Sequence, residues 1–216
     1  MYRRLFVSAL LLSIALSIPA IALDDPKLFD SQLDRNDPAF ISMQESFSEL
    51  PLVASYTQKK HIAKLGRDLV STGKMLMAPG KGMAFIIERP YESVMVVKKE
   101  QMKQQIGSGK VKQLDVSGNH IYTSMATSLE SIFTGDYDSI ERNFHISFIS
   151  EGGRWVLGLK PRDKALSAFI ESISIAGREE LEELLMVEKS GDYVLYTFED
   201  ARQRELNENE EKTYSI

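Results

Sequence analysis

From Leu52 onward the hydrophobic period of this chain is two. Leu52, Ala54 and Tyr56 alternate with polar neighbours through Gln58. Similar runs recur at Ser71–Ala78, Met83–Arg89, Glu92–Lys98, Gln101–Ile106, Lys110–Val116, Phe144–Ser150, Arg154–Lys160, Ala168–Ile175, Glu182–Lys189 and Tyr193–Glu199. Glycine-bearing turns part many of them, among them Gly80-Lys81-Gly82, Gly107-Ser108-Gly109, Gly118-Asn119, Gly152-Gly153 and Ser190-Gly191-Asp192. Short alternating runs with such turns specify a large antiparallel sheet of ten or so strands, not βαβ units. A sheet of that size must close into a barrel or bury one face under something apolar.

Covering material is present in the sequence. Asp37-Pro38 reads as an N-cap followed by a first-turn proline. Phe40, Met43, Phe47 and Leu50 then recur at helical spacing, predicting a helix over 38–50 that Pro51 stops. In Ser124–Phe133, the residues Met125, Leu129, Ile132 and Phe133 share one helical face, with Thr134-Gly135 as the stop. A single turn is expected at Arg162–Ser167. Residues 23–36 read as polar and flexible, 60–70 as a polar segment between the first two strands, and the charged tail ends in one last short strand at Lys212–Ile216. With no internal repeat and no low-complexity linker, residues 23–216 read as one α+β, mainly β, domain.

The first 22 residues read as a cleaved secretory signal peptide. Arg3-Arg4 precedes an uncharged apolar stretch from Leu5 to Ile18, and Ala20-Ile21-Ala22 supplies a small-x-small cleavage site. The stretch is short for a membrane span, which needs about 20 residues. Cleavage after Ala22 leaves 194 residues and, with Arg3 and Arg4 gone, a net charge of −7. The chain has no cysteine, which excludes disulfides, cysteine-ligated metals, a cysteine nucleophile and acylation of an N-terminal cysteine. Acidic residues outnumber basic ones 31 to 26, which argues against nucleic acid as the partner.

Little in the sequence points to catalysis. His61, His120 and His145 lack a second ligand at metal-binding spacing, so a structural or solvated role and no metal is expected. Gly107-Ser108-Gly109-Lys110 has Gln104 and Val111 where a phosphate loop needs a glycine and a hydroxyl, and reads as a hairpin turn. No Gly-x-Ser-x-Gly elbow occurs. The Glu179–Glu183 carboxylates read as a solvated charge run. No cofactor and no enzymatic activity are expected, a hydrolase assembled from distant residues being the catalytic alternative.

The apolar residues are more informative. Five of the eight methionines after Met1 lie between residues 75 and 102. Alternation places Met75 with Met77, Met83 with Phe85 and Ile87, and Met95 with Val97 on common strand faces. Methionine is flexible and polarisable, suited to surfaces that accept varied apolar ligands, and equally to irregular cores. The pattern alone fits a methionine-rich core first; a lipid pocket differs only in what fills the space.

Several of these segments resemble one family in order and spacing. Ala54-Ser55-Tyr56-Thr57-Gln58-Lys59 is similar to the first-strand motif of the LolA-type periplasmic outer-membrane lipoprotein carriers. Gly73-Lys74-Met75-Leu76-Met77 resembles that family's second strand, and Met83-Ala84-Phe85 through Pro90 its third. Leu129–Phe133 matches the lid helix in position; Phe144-His145-Ile146 and Gly153-Arg154-Trp155 through Lys160-Pro161 resemble the next hairpin. The resemblance spans about residues 40–200. It implies an incomplete antiparallel β-barrel of about ten to eleven strands, with helices over its concave face and an apolar cavity beneath a lid. It also implies a periplasmic, monomeric carrier without cofactor, which takes acyl chains of lipoproteins or another lipid from an inner-membrane transporter to an outer-membrane acceptor. On that basis Tyr56, Met75, Met77, Met83, Phe85, Ile87 and Met95 are expected to line the cavity and Leu129, Ile132 and Phe133 to close it. Two departures stand out: the family's lid-contacting arginine falls on Ala78-Pro79, with Lys81 the basic residue nearby, and a third-strand tryptophan is Phe85. A lipid-sensing or protein-interaction module on the same scaffold, without transport, is the alternative.

Overall fold

A computed structural model describes residues 22–47, 51–98, 101–115 and 120–216. The signal-like segment up to Ile21, residues 48–50 and the Gly118-Asn119 turn lie outside the described residues, as does the side chain of Met125; the helix predicted over 38–50 stops earlier, at Ser46, with Phe47 as an extended C-cap. Among the described residues, eleven strands form one antiparallel sheet: β1 (Leu52–Ile62), β2 (Arg67–Ala78), β3 (Gly82–Arg89), β4 (Ser93–Val97), β5 (Gln101–Ile106), β6 (Lys112–Asp115), β7 (Phe144–Glu151), β8 (Arg154–Pro161), β9 (Ile170–Gly177), β10 (Leu181–Glu188) and β11 (Tyr193–Gln203). Their order is β6-β5-β4-β3-β2-β1-β11-β10-β9-β8-β7. First and last strands pair at the middle, Tyr56 opposite Phe198, and the two edges β6 and β7 stay apart. The barrel is therefore unclosed, as the resemblance implies.

Two helices carry the chain from one free edge to the other: α3 (His120–Thr134) and α4 (Tyr137–Glu141). With α2 (Pro38–Ser46) and α5 (Lys164–Ser167) they cover the inner, concave face. Asp37 caps α2 as expected, its carboxylate accepting from the Ala39 N–H at 2.8 Å. Asp163 caps α5 through the Ala165 and Leu166 N–H groups, so the single turn predicted at 162–167 is present. Phe40, Phe144, Leu157, Leu159 and Ile175, all fully buried, belong to the main core between this face and the helices.

Three expectations need correction. Residues 60–70 are not a segment between the strands but mostly strand themselves: β1 and β2 pair without a break from Leu52–Met77 to Ile62–Arg67, turning over a short 3₁₀ segment at Ala63–Leu65. Both faces of this end are wet, so no apolar alternation marks it. Residues 23–36 contain α1 (Pro26–Asp30), capped by Asp25, whose Leu28 is fully buried on the sheet's outer face with Val156 and Ala176. Gly158 lets it dock, because a Cβ there would stand 2.9 Å from Leu28. Lys212–Ile216 is not a strand. The tail forms α6 (Glu208–Thr213), and Tyr214 packs on Val53, Leu76, Ala84 and Val96 of the outer face, donating its hydroxyl to the Gly82 carbonyl.

Glu210 holds that tail in two ways. It accepts from the Asn207 N–H in a reciprocal capping box and from Arg204 through both guanidinium nitrogens at 2.7 and 2.8 Å. The Arg204 hydrogen bond, ahead of the backbone N–H, holds the carboxyl below its usual range against the opposing effect of burial. A depressed folded pKa stabilises above the unfolded value, about 4.3, and the contribution is lost as pH falls through the folded pKa. Glu210→Gln is expected to cost about 1 kcal/mol at neutral pH, the size of a lost cap. In urea melts the gap between the two proteins should close as the pH is taken below the carboxylate range.

Candidate ligand-binding site

Alternation along the strands builds the inner wall. Tyr56 of β1, Met75 and Met77 of β2 and Met83 of β3 are buried in one cluster, with half-buried Phe85 and Met95 packed against it. Gly73 keeps β2 close to β3 here, since a Cβ would collide with the Ile86 carbonyl. Ile87 faces the same side by register but is half-buried at the strand's end, outside the cluster. From above, Ile132 and Phe133 of α3 enter the same core, and half-buried Leu129 packs on it. Nine of the ten sequence-predicted residues thus meet in one apolar body.

The open space lies at one end of that body. A cavity of about 420 Å³ sits between the C-terminal turn of α3, the end of α2 and the end of β2. Its walls are Ile132, Phe133 and Tyr137 on one side, Phe47 and Gln44 on another, and Met77, Ala78 and Pro79 below, with Glu130 at the margin. The volume falls within the roughly 300–1,000 Å³ of sites for single small ligands. Only Met77, Ile132 and Phe133 of the predicted residues line it; Tyr56, Met75, Met83, Phe85 and Met95 pack beside it.

Sequence reasoning did not single out Gln44, Phe47 or Tyr137 as lining residues. Phe47 contacts Phe133 edge-on at 5.2 Å, and Phe40 contacts Tyr137 at 4.9 Å, so the cavity's far wall is rigid aromatic surface. The Tyr137 hydroxyl is buried without a hydrogen-bond partner. Desolvation pushes its pKa up, so it stays a neutral phenol. The helical position of Phe47 in the 40-43-47 series was the available signal; the inward turn of Tyr137 follows from the Asp136 cap, visible only once α4 is known.

Further along the wall, Tyr196 stacks on Phe198 and meets Tyr56 and Phe85 at 5.4 and 5.8 Å. Gln58 donates to the Tyr196 hydroxyl at 2.8 Å and accepts from Ser71 at 2.7 Å. Burial pushes the Tyr196 phenol up to about 12 and that of Tyr56 up as well. This patch is therefore aromatic, uncharged and only partly covered.

No group of three metal-ligating side chains stands together among the described residues. His61 pairs with Asp68 at 2.6 Å and stacks on Tyr193. His145 accepts from Arg162 at 3.3 Å. Among the same residues, no helix is long and apolar enough to cross a membrane.

An open antiparallel half-barrel with a helix-covered apolar face can be compared with known proteins. The family model described as "Outer membrane lipoprotein carrier protein LolA" matches residues 50–210. The chain belongs to the LolA family. Among solved structures, a LolA superfamily protein from Nitrosomonas europaea aligns at 13% identity and TM-score 0.44, covering 79% of this chain and 94% of that one. A chain of the Pseudomonas aeruginosa MucA/MucB complex aligns at 11% identity and TM-score 0.45, over 79% of this chain and 58% of that one. LprF from Mycobacterium bovis aligns at 10% identity and TM-score 0.35, over 78% and 94%. Comparison of the sequence with curated proteins gave no match. Ala78 and Pro79, where the resemblance expects an arginine, line the cavity, and Lys81 turns away to pair with Glu211 of α6.

Proposed function

We propose that this LolA-family chain is a periplasmic carrier that shields the acyl chains of lipoproteins, or of another lipid, between an inner-membrane transporter and an outer-membrane acceptor. It changes no covalent bond in its cargo. The observation that carries this reading is the apolar cavity beneath the C-terminal turn of α3, continuous with the core that α3 covers. Each methylene removed from water is worth about 0.8 kcal/mol, so a 16-carbon chain left exposed costs on the order of 10 kcal/mol. An apolar container is needed to cross water, and a cover that lifts is needed to release the load.

The α3 helix suits that second requirement. Its inward face carries Ser124, Ser128 and Ser131, all buried, alongside Ile132. The Ser128 hydroxyl is buried with no hydrogen-bond partner. Serines on the buried stripe reduce the apolar area that holds the helix down, and an unsatisfied hydroxyl adds a penalty of about 1–3 kcal/mol. The cover is thus less firmly held than an all-leucine stripe would be.

Mass spectrometry of the protein purified from its native host tests the reading directly. Acyl species are expected to co-purify in near-stoichiometric amount; their absence under all gentle purification conditions would overturn the carrier assignment. Phe85→Glu, which places a carboxylate between Tyr56 and Tyr196, is expected to lower acyl content several-fold. Because Phe85 is half-buried, circular dichroism should remain that of the parent.

A further inference from the structure

Of the eight large apolar side chains that stand exposed among the described residues, seven share one end of the sheet. Strand direction puts them there. β1, β3, β5 and β10 run toward this end and turn at 62–67, 89–93, 106–112 and 188–193, while 161–170 connects β8 to β9. Leu65, Leu69 and Val70 belong to the β1–β2 arm, Tyr91 to the next turn, Ile106 and Val111 to the third, and Phe169 to the β8–β9 connection. The exception, Ile41, is on α2.

The arm also projects. β3 leaves β2 at Thr72–Arg89, whereas β1 continues with β2 to Arg67. Residues 67–71 therefore run past β3 over about 16 Å of strand. The arm's other flank is held by the β10–β11 turn, where Asp192 accepts from the Ala63 N–H at 2.9 Å. A free strand edge with Leu69 on one face, Val70 on the other and Leu65 at its tip is a liability in water.

Charge says what covers it. Residues 59–70 and 106–112 together hold six basic side chains and one acid, in a chain of net charge −5. The acid, Asp68, is taken up by His61 and Lys59. Lys60, Lys64, Arg67, Lys110 and Lys112 are all exposed. Leucine, valine and tyrosine interleaved with lysine and arginine match a membrane interface: the apolar groups enter the headgroup layer and the cations meet lipid phosphates. We infer that this end of the half-barrel docks on an anionic lipid surface, the β1–β2 arm entering first. The cavity lies at the opposite end of β2, by Met77–Pro79, so docking leaves its mouth free.

Vesicle flotation tests this, using purified protein with the same N-terminus in every variant so that residues 5–18 contribute equally. Parent protein is expected to float with phosphatidylcholine vesicles containing about one-third phosphatidylglycerol, in a salt-sensitive way, and not with phosphatidylcholine alone. Each cation at such a surface is worth up to about fivefold in binding, so Lys60→Gln/Lys64→Gln/Arg67→Gln should lose at least about tenfold. Leu65→Ser/Leu69→Ser should lose about tenfold through the apolar term. Ile41→Ser should bind as the parent does. All these side chains are exposed, so melting temperatures should not move. Failure to bind anionic vesicles, equal binding to neutral ones, or parent-like binding by both rim variants would overturn the inference. So would capture of an acidic protein by the rim without vesicle binding. Acyl content is a separate readout: it should be unchanged in the rim variants, so failure here and failure of the carrier reading are distinguishable.

Discussion

Phe40→Ala is expected to remove about 3–5 kcal/mol of stability, the range for a buried phenylalanine truncated in a core. Phe40 is fully buried and joins three elements. It stands on α2, meets Tyr137 of α4 edge-on at 4.9 Å and meets Phe148 of β7 at 5.3 Å. A void left there cannot be closed by moving one neighbour, since each is fixed by its own element. Because domains of this kind are stable by only about 5–15 kcal/mol, the variant should show a large drop in urea midpoint. It should also loosen Tyr137, and with it one cavity wall. Ile41→Ala, one residue along and exposed, should stay within about 0.5 kcal/mol of the parent. A loss below about 1 kcal/mol for Phe40→Ala would mean that α2 does not clamp the edge strand as described.

Where a face is buried, the sequence was readable. β3 and β7 fall within one residue of the alternation that marks them, because Met83 and Phe85 on the one and Phe144, Ile146 and Phe148 on the other face the main core. Where both faces are wet, as in 60–70, strand pairing leaves no hydrophobic trace. The terminal helices were missed for another reason. Asp25-Pro26 carries the same cap-and-proline signature as Asp37-Pro38, and Asn207 with Glu210 has the spacing of a capping box, but α1 and α6 are too short for periodicity to support them. Their stability comes from tertiary burial of Leu28 and Tyr214, which no local pattern reports.

The candidate site divides along the same line. Strand alternation identifies the wall that Met77 belongs to, and helical spacing identifies Ile132 and Phe133. Neither can say which part of a continuous apolar body is left unfilled. That depends on how far α2 and the α3–α4 corner stand from the end of β2, a distance set by aromatic packing among Phe40, Phe47, Phe133 and Tyr137. Gln44 and Tyr137 therefore enter the site through tertiary structure alone. The absent arginine has a structural counterpart as well: Ala78 and Pro79 stand at the wall where the resemblance expects a lid-contacting arginine, and Lys81 is paired to Glu211.

That arrangement makes the cavity itself testable without breaking the fold. Gln44→Trp is expected to abolish most cargo retention while leaving stability equal or higher. Gln44 is half-buried on α2, on the side of the helix that faces the 420 Å³ space, while Phe40 and Met43 anchor the same helix in the core. The indole can enter a void lined by Phe47, Phe133 and Met77 without displacing backbone, and filling an apolar cavity commonly gains about 0.5–2 kcal/mol. A ligand loses what the indole takes. If about four methylenes are displaced, each worth about 0.8 kcal/mol, the deficit is about 3 kcal/mol, or on the order of 100-fold in occupancy. Acyl content by mass spectrometry and the urea midpoint should therefore move in opposite directions, or the second not at all. Unchanged acyl content in a stable Gln44→Trp protein would place the cargo instead against the Tyr56–Phe85–Tyr196 patch, and a fall in both would return the space to the core.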